Sequence, residues 1–210
     1  MNALKQLKPI SNMSDEDIDI GLTALAMVSD DHEGVSVDRY IQHFKKINQQ
    51  VAKRHSELLS EGADDDAGAQ IAALKYVLYD RHGYFEGDKG EPIESTDIMR
   101  VIDLGRGCSA ALCLLYMNAA RAQGWIVEGL DFPPRYLCRI VKDGQHLIFD
   151  PVQQCKLLEA HDMRMLLQEM MGDEAELSTE YYEGRGAREI IIHLHDQLKM
   201  RRIEMGDYAA

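Results

Sequence analysis

The sequence predicts an α+β protein: an N-terminal helical bundle, a core in which a central helix packs on a small antiparallel sheet, and C-terminal helices. Three observations support this fold class. Apolar residues recur at helical spacing through the first hundred residues, one helix near the middle is apolar nearly all round, and short strands separated by turn signals follow it. Helices on both sides of a run of antiparallel strands are typical of the α+β class.

Four helices are expected in the N-terminal region, residues 1–104. An N-cap at Ser14 with three acids behind it begins the first helix, which runs to about Val28. The next two cover about 36–58 and 71–83, and a short helix covers 96–102. The segment from Tyr84 to Glu94 is rich in glycine and charge and is expected to be a surface loop.

The core is expected within residues 105–184. It opens with the run Gly105-Arg106-Gly107-Cys108-Ser109, which leads into the apolar helix that stops at Gly124. Strands are predicted at about 125–130, 136–141 and 146–150, with a tight turn before the third. Helices are predicted near 162–171 and 187–205, so residues 185–210 form a C-terminal helical part of what we expect to be one compact unit.

Composition excludes several classes of function. The net charge of −13 argues against general nucleic-acid binding and against docking on anionic membranes. No apolar run approaches the ~18 residues of a membrane helix, and the N-terminal residues lack the apolar stretch of a secretory signal. The four cysteines contain no CxxC pair, so we expect reduced thiols in a cytoplasm.

The start of the central helix is the best candidate for chemistry. Thiol hydrolases and transglutaminases need a thiolate, a base beside it and a group that orients the base. A cysteine at a helix N-terminus suits the first role, because unpaired backbone N–H groups favour the anion. Cys108 stands where the glycine-rich run enters the helix, and the base and its orienter would come from the strands packed on it.

Three blocks carry a family resemblance. The run from Gly105 to Tyr116, the run Glu128-Gly129-Leu130-Asp131-Phe132-Pro133-Pro134-Arg135-Tyr136-Leu137-Cys138-Arg139, and the run Ile148-Phe149-Asp150-Pro151 resemble transglutaminase-like proteins of the SirB type, in the papain-like superfamily. The C-terminal helix resembles the one that leads into tetratricopeptide-like repeats in that family. The likeness covers almost the whole chain and implies a bacterial cytoplasmic protein with a cysteine–histidine–aspartate site.

The departures from the family pattern bear on activity. Arg135 stands at the family's histidine position, and an arginine stays protonated, so it cannot accept a proton from a thiol. The nucleophile position falls on Cys108 or on Ser109, depending on the alignment of the helix start. Asp150 alone matches its position cleanly. We therefore predict that Cys108, Ser109, Arg135 and Asp150 are the positions of a degenerate, inactive triad.

Structural explanations compete with this functional one. Cys108 has the alternative role of a small buried residue, and Arg135 and Asp150 would form a bidentate salt bridge that holds two strands in register. The remaining cysteines, Cys113, Cys138 and Cys155, are expected to pack in the core. His146 lies ~13 Å from Asp150 along one strand, at ~3.3 Å per residue, so the two cannot touch there.

Other polar clusters predict no site. His193 and His195 diverge by about 200° on a helix and are expected to be two surface histidines. The run Asp64-Asp65-Asp66 lacks the spacing of a calcium loop and is expected to be solvated. Met163, Met165, Met170 and Met171 are expected to pack in or over the core, with a Met-rich docking surface as the alternative. The sequence indicates no cofactor and no metal.

Three functions remain open from the sequence. The first is a non-catalytic domain that binds a protein or peptide in the former active-site groove and has a regulatory role. The second is a cysteine-dependent hydrolase or acyltransferase using Cys108 with a base from elsewhere, such as His146 or His82. The third is a helical docking module that works through its terminal helices. An exposed apolar patch on those helices would favour the third.

Overall fold

The computed structural model describes residues 12–87, 94–133, 135–204 and 206 and confirms the α+β class. The helices are α1 Ile20–Val28, α2 Asp38–Ser60, α3 Ala67–Leu74, α4 Ile98–Leu104, α5 Ser109–Arg121, α6 Ala160–Met171 and α7 Ala187–Glu204. Short 3₁₀ turns cover Ser29–Asp31 and Thr179–Tyr182, and α3 continues into a π-helical segment, Lys75–Arg81. The strands are β1 Phe85–Glu86, β2 Arg106–Gly107, β3 Ile126–Phe132, β4 Arg135–Lys142, β5 Gln145–Asp150, β6 Lys156–Leu158 and β7 Gly184–Arg185.

The first helix begins later than its sequence signal predicts. Ser14 does not cap it: the Ser14 hydroxyl donates to the Asp17 carboxylate within a turn. The N-cap is Asp19, whose Oδ1 accepts from the Leu22 backbone N–H at 2.8 Å. Several acids in succession each provide a capping signal, and the buried position of Ile20 selects among them.

The acidic run before α3 has a structural role at its last residue. Asp64 and Asp65 are exposed, as expected of a solvated loop. Asp66 is the N-cap of α3, and its Oδ1 accepts from the Ala69 backbone N–H at 2.8 Å. The sequence prediction of a purely solvated run is therefore wrong for Asp66, which satisfies a helix donor that would otherwise lack a partner.

The segment predicted as a surface loop begins inside the core. Tyr84 is 1% exposed, and the next two residues form β1, which pairs in parallel with β2. A two-residue strand shows no alternation of apolar and polar residues, so its sequence carries no strand signal. Residues 88–93 of that predicted loop lie outside the described residues. The pairing matters for the site because β2 leads directly into Cys108.

The main sheet is antiparallel, in the order β6-β5-β4-β3-β7. Its three central strands are the predicted ones, with β4 between β3 and β5. The edge strands β6 and β7 were missed, because they are only three and two residues long. In the register, Cys138 lies opposite Gly129 on one side and Phe149 on the other.

Two apolar clusters fill the two faces of the sheet. Tyr136, Cys138 and Phe149 belong to the larger cluster, which includes α5 and α7. Leu137 belongs to the smaller cluster, which includes Met163 of α6. Successive side chains of a strand point to opposite faces, so even-numbered residues of β4 face α5 and odd-numbered ones face α6. We call these the α5 face and the α6 face.

The side chains expected to pack in the core divide into two groups. Cys113 and Cys138 are fully buried and Cys155 is 5% exposed, as predicted for packing residues. Met163 is also buried, but Met165, Met170 and Met171 are 48–61% exposed. Their exposure favours the alternative of a methionine-containing surface.

Among the described helices, none has the length and apolar character that crossing a bilayer requires.

Candidate functional site

Cys108 is the N-cap residue of α5, with extended backbone at φ −70° and ψ 164°. Its thiol is part-buried, and burial raises its pKa. The backbone N–H groups of Ala111 and Ala110 and the guanidinium of Arg201 act in the opposite direction, because each favours a thiolate. Burial is the strongest of these influences, so the neutral thiol is the stable form near neutral pH.

The partner of the Cys108 thiol comes from the C-terminal helix. Its Sγ lies 3.6 Å from Oε1 of Gln197 on α7. The amide nitrogen of Gln197 in turn lies 2.8 Å from Nε2 of His193, one turn earlier on the same helix. Because an amide nitrogen donates, His193 accepts there as a neutral imidazole, and burial lowers its pKa in the same sense. An amide therefore stands between the thiol and this imidazole.

Ser109 contacts the sheet instead of α7. Its Oγ accepts from the Tyr136 backbone N–H at 3.1 Å, which holds the start of α5 against the start of β4. The Tyr136 ring packs on the His193 ring with their centroids 4.6 Å apart. Cys108, Ser109, Tyr136, His193 and Gln197 thus form one continuous group, which we call the Cys108 cluster.

Arg135 and Asp150 form the predicted ion pair, with Nη1 and Oδ2 separated by 3.4 Å. The bidentate geometry expected from the sequence is wrong, because a single contact joins the two side chains, and the other carboxylate oxygen accepts from the Val152 backbone N–H at 2.8 Å. The Asp150 side chain is fully buried and that of Arg135 is 19% exposed. Burial raises the pKa of Asp150, and the Arg135 guanidinium acts against that rise.

The recorded contacts of the four predicted triad positions fall into separate groups. All four lie at the same end of the sheet, since Arg135 begins β4, Asp150 ends β5 and Ser109 bonds to the backbone of Tyr136. Strand alternation, however, directs the Arg135 and Asp150 side chains to the α6 face. Cys108 contacts α7, which packs on the α5 face. Among the described residues, no contact between this ion pair and the Cys108 thiol is recorded.

The two histidines proposed as alternative bases are placed elsewhere. His146 is exposed and pairs with Val141, at the end of β5 opposite Asp150. Nε2 of His82 lies 2.7 Å from Oε1 of Gln50 on α2. Among the described residues, the recorded side-chain partner of Cys108 is Gln197, so neither histidine serves as its base in this conformation.

Sequence reasoning missed the contribution of α7. The prediction that His193 is a surface residue is wrong: it is half-buried between Tyr136 and Gln197. Arg201, one turn after Gln197, donates to the Ser95 hydroxyl at 3.1 Å. Residues 193, 197 and 201 follow each other at four-residue spacing, which places them along one face of a helix. That spacing was the available signal.

Burial of imidazoles is also seen in the helical layer. His43 of α2 lies 2.7 Å from the Tyr84 hydroxyl, and its ring centroid lies 5.2 Å from that of His82. Burial, followed by the charge of His43, lowers the pKa of His82 to about 4. The described residues contain no group of three or more histidine, cysteine and acidic side chains suited to hold a metal ion.

Comparisons with known proteins agree with the architecture. The family model described as "Transglutaminase-like superfamily" matches residues 38–195. A UPF0162 protein of Xylella fastidiosa strain Temecula1 is 22% identical over 170 residues, which cover 79% of this chain and 57% of the relative. A UPF0162 protein of strain 9a5c is 21% identical over 169 residues, with the same coverage. The chain thus spans less than two thirds of these relatives' length. No solved structure matches the chain.

Proposed function

This chain belongs to the transglutaminase-like superfamily, and from that premise we propose that it is a non-catalytic member of the SirB type. In this proposal it acts in the bacterial cytoplasm as a binding or regulatory domain. The single observation that carries the proposal is the position of Arg135. A fixed cation stands where the resembled proteins carry histidine, and its side chain is paired with Asp150 at 3.4 Å.

The environment of Cys108 supports the same conclusion. A thiol nucleophile is activated by a lowered pKa or by a base within hydrogen-bond reach. Burial instead raises the pKa of Cys108, and the neighbouring polar atom is an amide oxygen of Gln197, which has no basic character at neutral pH. The neutral thiol, the amide and the neutral imidazole form a hydrogen-bonded group that holds α7 against the start of α5.

Turnover assays test the non-catalytic part of the proposal. The purified protein is incubated with a thioester and, separately, with a glutamine donor and a primary amine. We expect no turnover above that of Cys108→Ala, and none from Arg135→His, because residue 135 is paired with Asp150 while the recorded partner of the thiol is Gln197. Turnover by the unmodified protein that is lost in Cys108→Ala would overturn the proposal.

Affinity capture from a native cytoplasmic extract tests the binding part. We propose that a protein or peptide is held at the end of the sheet where Arg135 is partly exposed. Arg135→Gln keeps a side chain able to hydrogen-bond Asp150 but removes the charge. We expect a specific partner to be captured by the unmodified protein and less of it by this variant. Equal capture by both proteins would contradict a role for Arg135 in binding.

One observation favours a second candidate function, a thiol-dependent hydrolase or acyltransferase. Gln197 bonds both Cys108 and His193, so rotation of its side chain would open a path from thiol to imidazole. Iodoacetamide alkylation of Cys108 across pH separates the candidates. Rapid reaction near pH 6 that is abolished in His193→Gln would establish a thiolate–imidazolium pair. Slow reaction below pH 8.5, unchanged in His193→Gln, supports the non-catalytic domain.

A further inference from the structure

The outer side of the α6 face carries a groove that the Cys108 cluster does not use. The groove lies between the edge strand β6 and α6 and has a volume of about 400 Å³. Its floor is formed by Leu158 and Leu166, which are 8% and 6% exposed. Met165 stands beside them with 55% of its surface exposed to solvent. An unbranched thioether of this kind adapts to different partner side chains, as methionine does at other binding surfaces.

The charge at the rim of the groove is negative. Lys156 is the cation among the lining residues, and its Nζ lies 2.7 Å from Oδ1 of Asp162, which neutralises it. Glu169 and Asp173 also line the groove, and no ion pair is recorded for either within the part of the chain that the structure describes. The lining residues therefore carry two uncompensated carboxylates above an apolar floor.

An apolar floor under an acidic rim matches one kind of side chain best. Lysine and arginine have an aliphatic stem that packs on apolar surface and a charged head that reaches a carboxylate. From this complementarity we propose that the groove docks a basic amphipathic segment of a partner protein, with its apolar side chains against Met165 and the leucine floor and a cation at Glu169 and Asp173. The inference rests on the proposed binding function and names a surface and a partner class for it.

The position of the groove connects it with Asp150. Gln153 also lines the groove, and its backbone N–H bonds the Asp150 carboxylate in the turn after β5. Docking beside this turn would occur on the same sheet face as the Arg135–Asp150 pair. The edge strand β6 is three residues long and includes Lys156, features that discourage pairing with a further strand. Side-chain docking of an amphipathic segment is therefore expected, without extension of the sheet.

The test uses the full chain and a defined probe, an 18-residue amphipathic helical peptide of leucine and lysine. A second peptide of equal charge, with serine in place of leucine, reports binding to the general negative charge of the protein. Fluorescence anisotropy gives the Kd for each. We expect the leucine peptide to bind at least tenfold more tightly than the serine peptide. Equal binding of the two, or binding of neither, would overturn the groove proposal without affecting the turnover result.

Matched variants locate the binding. Glu169→Gln removes a rim charge and is expected to weaken binding of the leucine peptide about three- to fivefold, the scale of an exposed ion pair. Met165→Gln is expected to weaken it at least as much. Glu176→Gln, an exposed carboxylate outside the groove, is the control and should leave Kd unchanged. An equal effect of Glu176→Gln and Glu169→Gln would show diffuse attraction and overturn the proposal.

Methionine methyl resonances give an independent readout. With ¹³C-methyl methionine, the peptide should shift the Met165 signal and leave that of Met200, which is 57% exposed on α7, in place. Buried Met99 and Met117 serve as references for the folded state. A shift at Met200 without one at Met165 would place the peptide on the C-terminal helix and overturn the groove assignment.

Discussion

The two faces of the central sheet hold different members of the predicted triad, in different chemical states. The α5 face carries a neutral thiol bonded to an amide, and its polar contacts involve no formal charge at the thiol. The α6 face carries a guanidinium and a fully buried carboxylate. A buried charge that loses its partner costs several kcal/mol, whereas a thiol contact costs far less. The difference predicts that the ion pair contributes much more to the free energy of unfolding than the thiol contact does.

The ion pair provides the largest expected effect. Asp150→Ala should reduce the free energy of unfolding by roughly 3–5 kcal/mol, because it leaves Arg135 and the Val152 N–H without their partner in a buried site. Arg135→Ala should cost less, since part of that side chain is exposed. Urea denaturation of both single variants and the double variant gives the coupling energy.

An exposed ion pair serves as the control for this double-mutant cycle. Arg185 and Glu189 form an exposed pair at 3.0 Å, and breaking it should cost no more than about 0.5 kcal/mol. If the Arg135→Ala and Asp150→Ala effects simply add, the two residues do not interact and the contrast between the faces disappears.

His82, which lies in the helical layer against Gln50 and away from the sheet, tests how burial of an imidazole changes stability with pH. The pKa of His82 is lowered from 6.5 to about 4 in the folded state. Its contribution to stability is therefore present above the unfolded-state pKa of 6.5 and is lost as pH falls toward 4. For a half-buried ring we expect a loss of about 1–2 kcal/mol after allowance for solvent screening. Thermal melts from pH 7 to 4 should show this loss in the unmodified protein.

The comparison of variants isolates the His82 contribution from that of the carboxylates. His82→Gln should reduce the dependence of the melting temperature on pH between 6.5 and 4. His146→Gln, at an exposed position, should show the same pH dependence as the unmodified protein. Parallel curves for all three proteins would mean that protonation of His82 is not linked to folding.

The contact between α5 and β4 is expected to be weaker than the ion pair. Ser109→Ala removes the acceptor of the Tyr136 N–H and should cost about 1 kcal/mol. Equilibrium unfolding measures the loss. Ser109→Thr retains the hydroxyl and should recover part of it. A cost as large as that of Asp150→Ala would contradict the contrast drawn between the two faces.

A still smaller effect than that of Ser109→Ala is expected at the thiol itself. Cys108→Ala should change the free energy of unfolding by less than about 1 kcal/mol, because the contact it removes is a single weak thiol hydrogen bond at 3.6 Å. The melting temperature checks this. A loss above 3 kcal/mol would assign Cys108 a structural role equal to that of Asp150.

Local signals in the sequence predicted most of the fold. The apolar spacing of α2 and the turn before β5 depend on neighbouring residues, so the second helix and the three central strands were predicted close to their observed bounds. The edge strands β6 and β7 were not predicted, because two or three residues show no periodicity and pair only when a longer strand is present beside them. The sequence predicts Ser14 as the first cap, whereas Asp19, five residues later, has that role.

By itself the sequence determined the chemical limits of the candidate site. It placed Cys108 at a helix start and a permanent cation at position 135, and a permanent cation cannot move a proton whatever its surroundings. Only the tertiary structure decided which groups meet. Pleating directs the side chains at 135 and 136 to opposite faces, and packing of α7 brings Gln197 to a thiol 89 positions earlier in the chain. Those contacts join residues distant in sequence, so no local pattern encodes them.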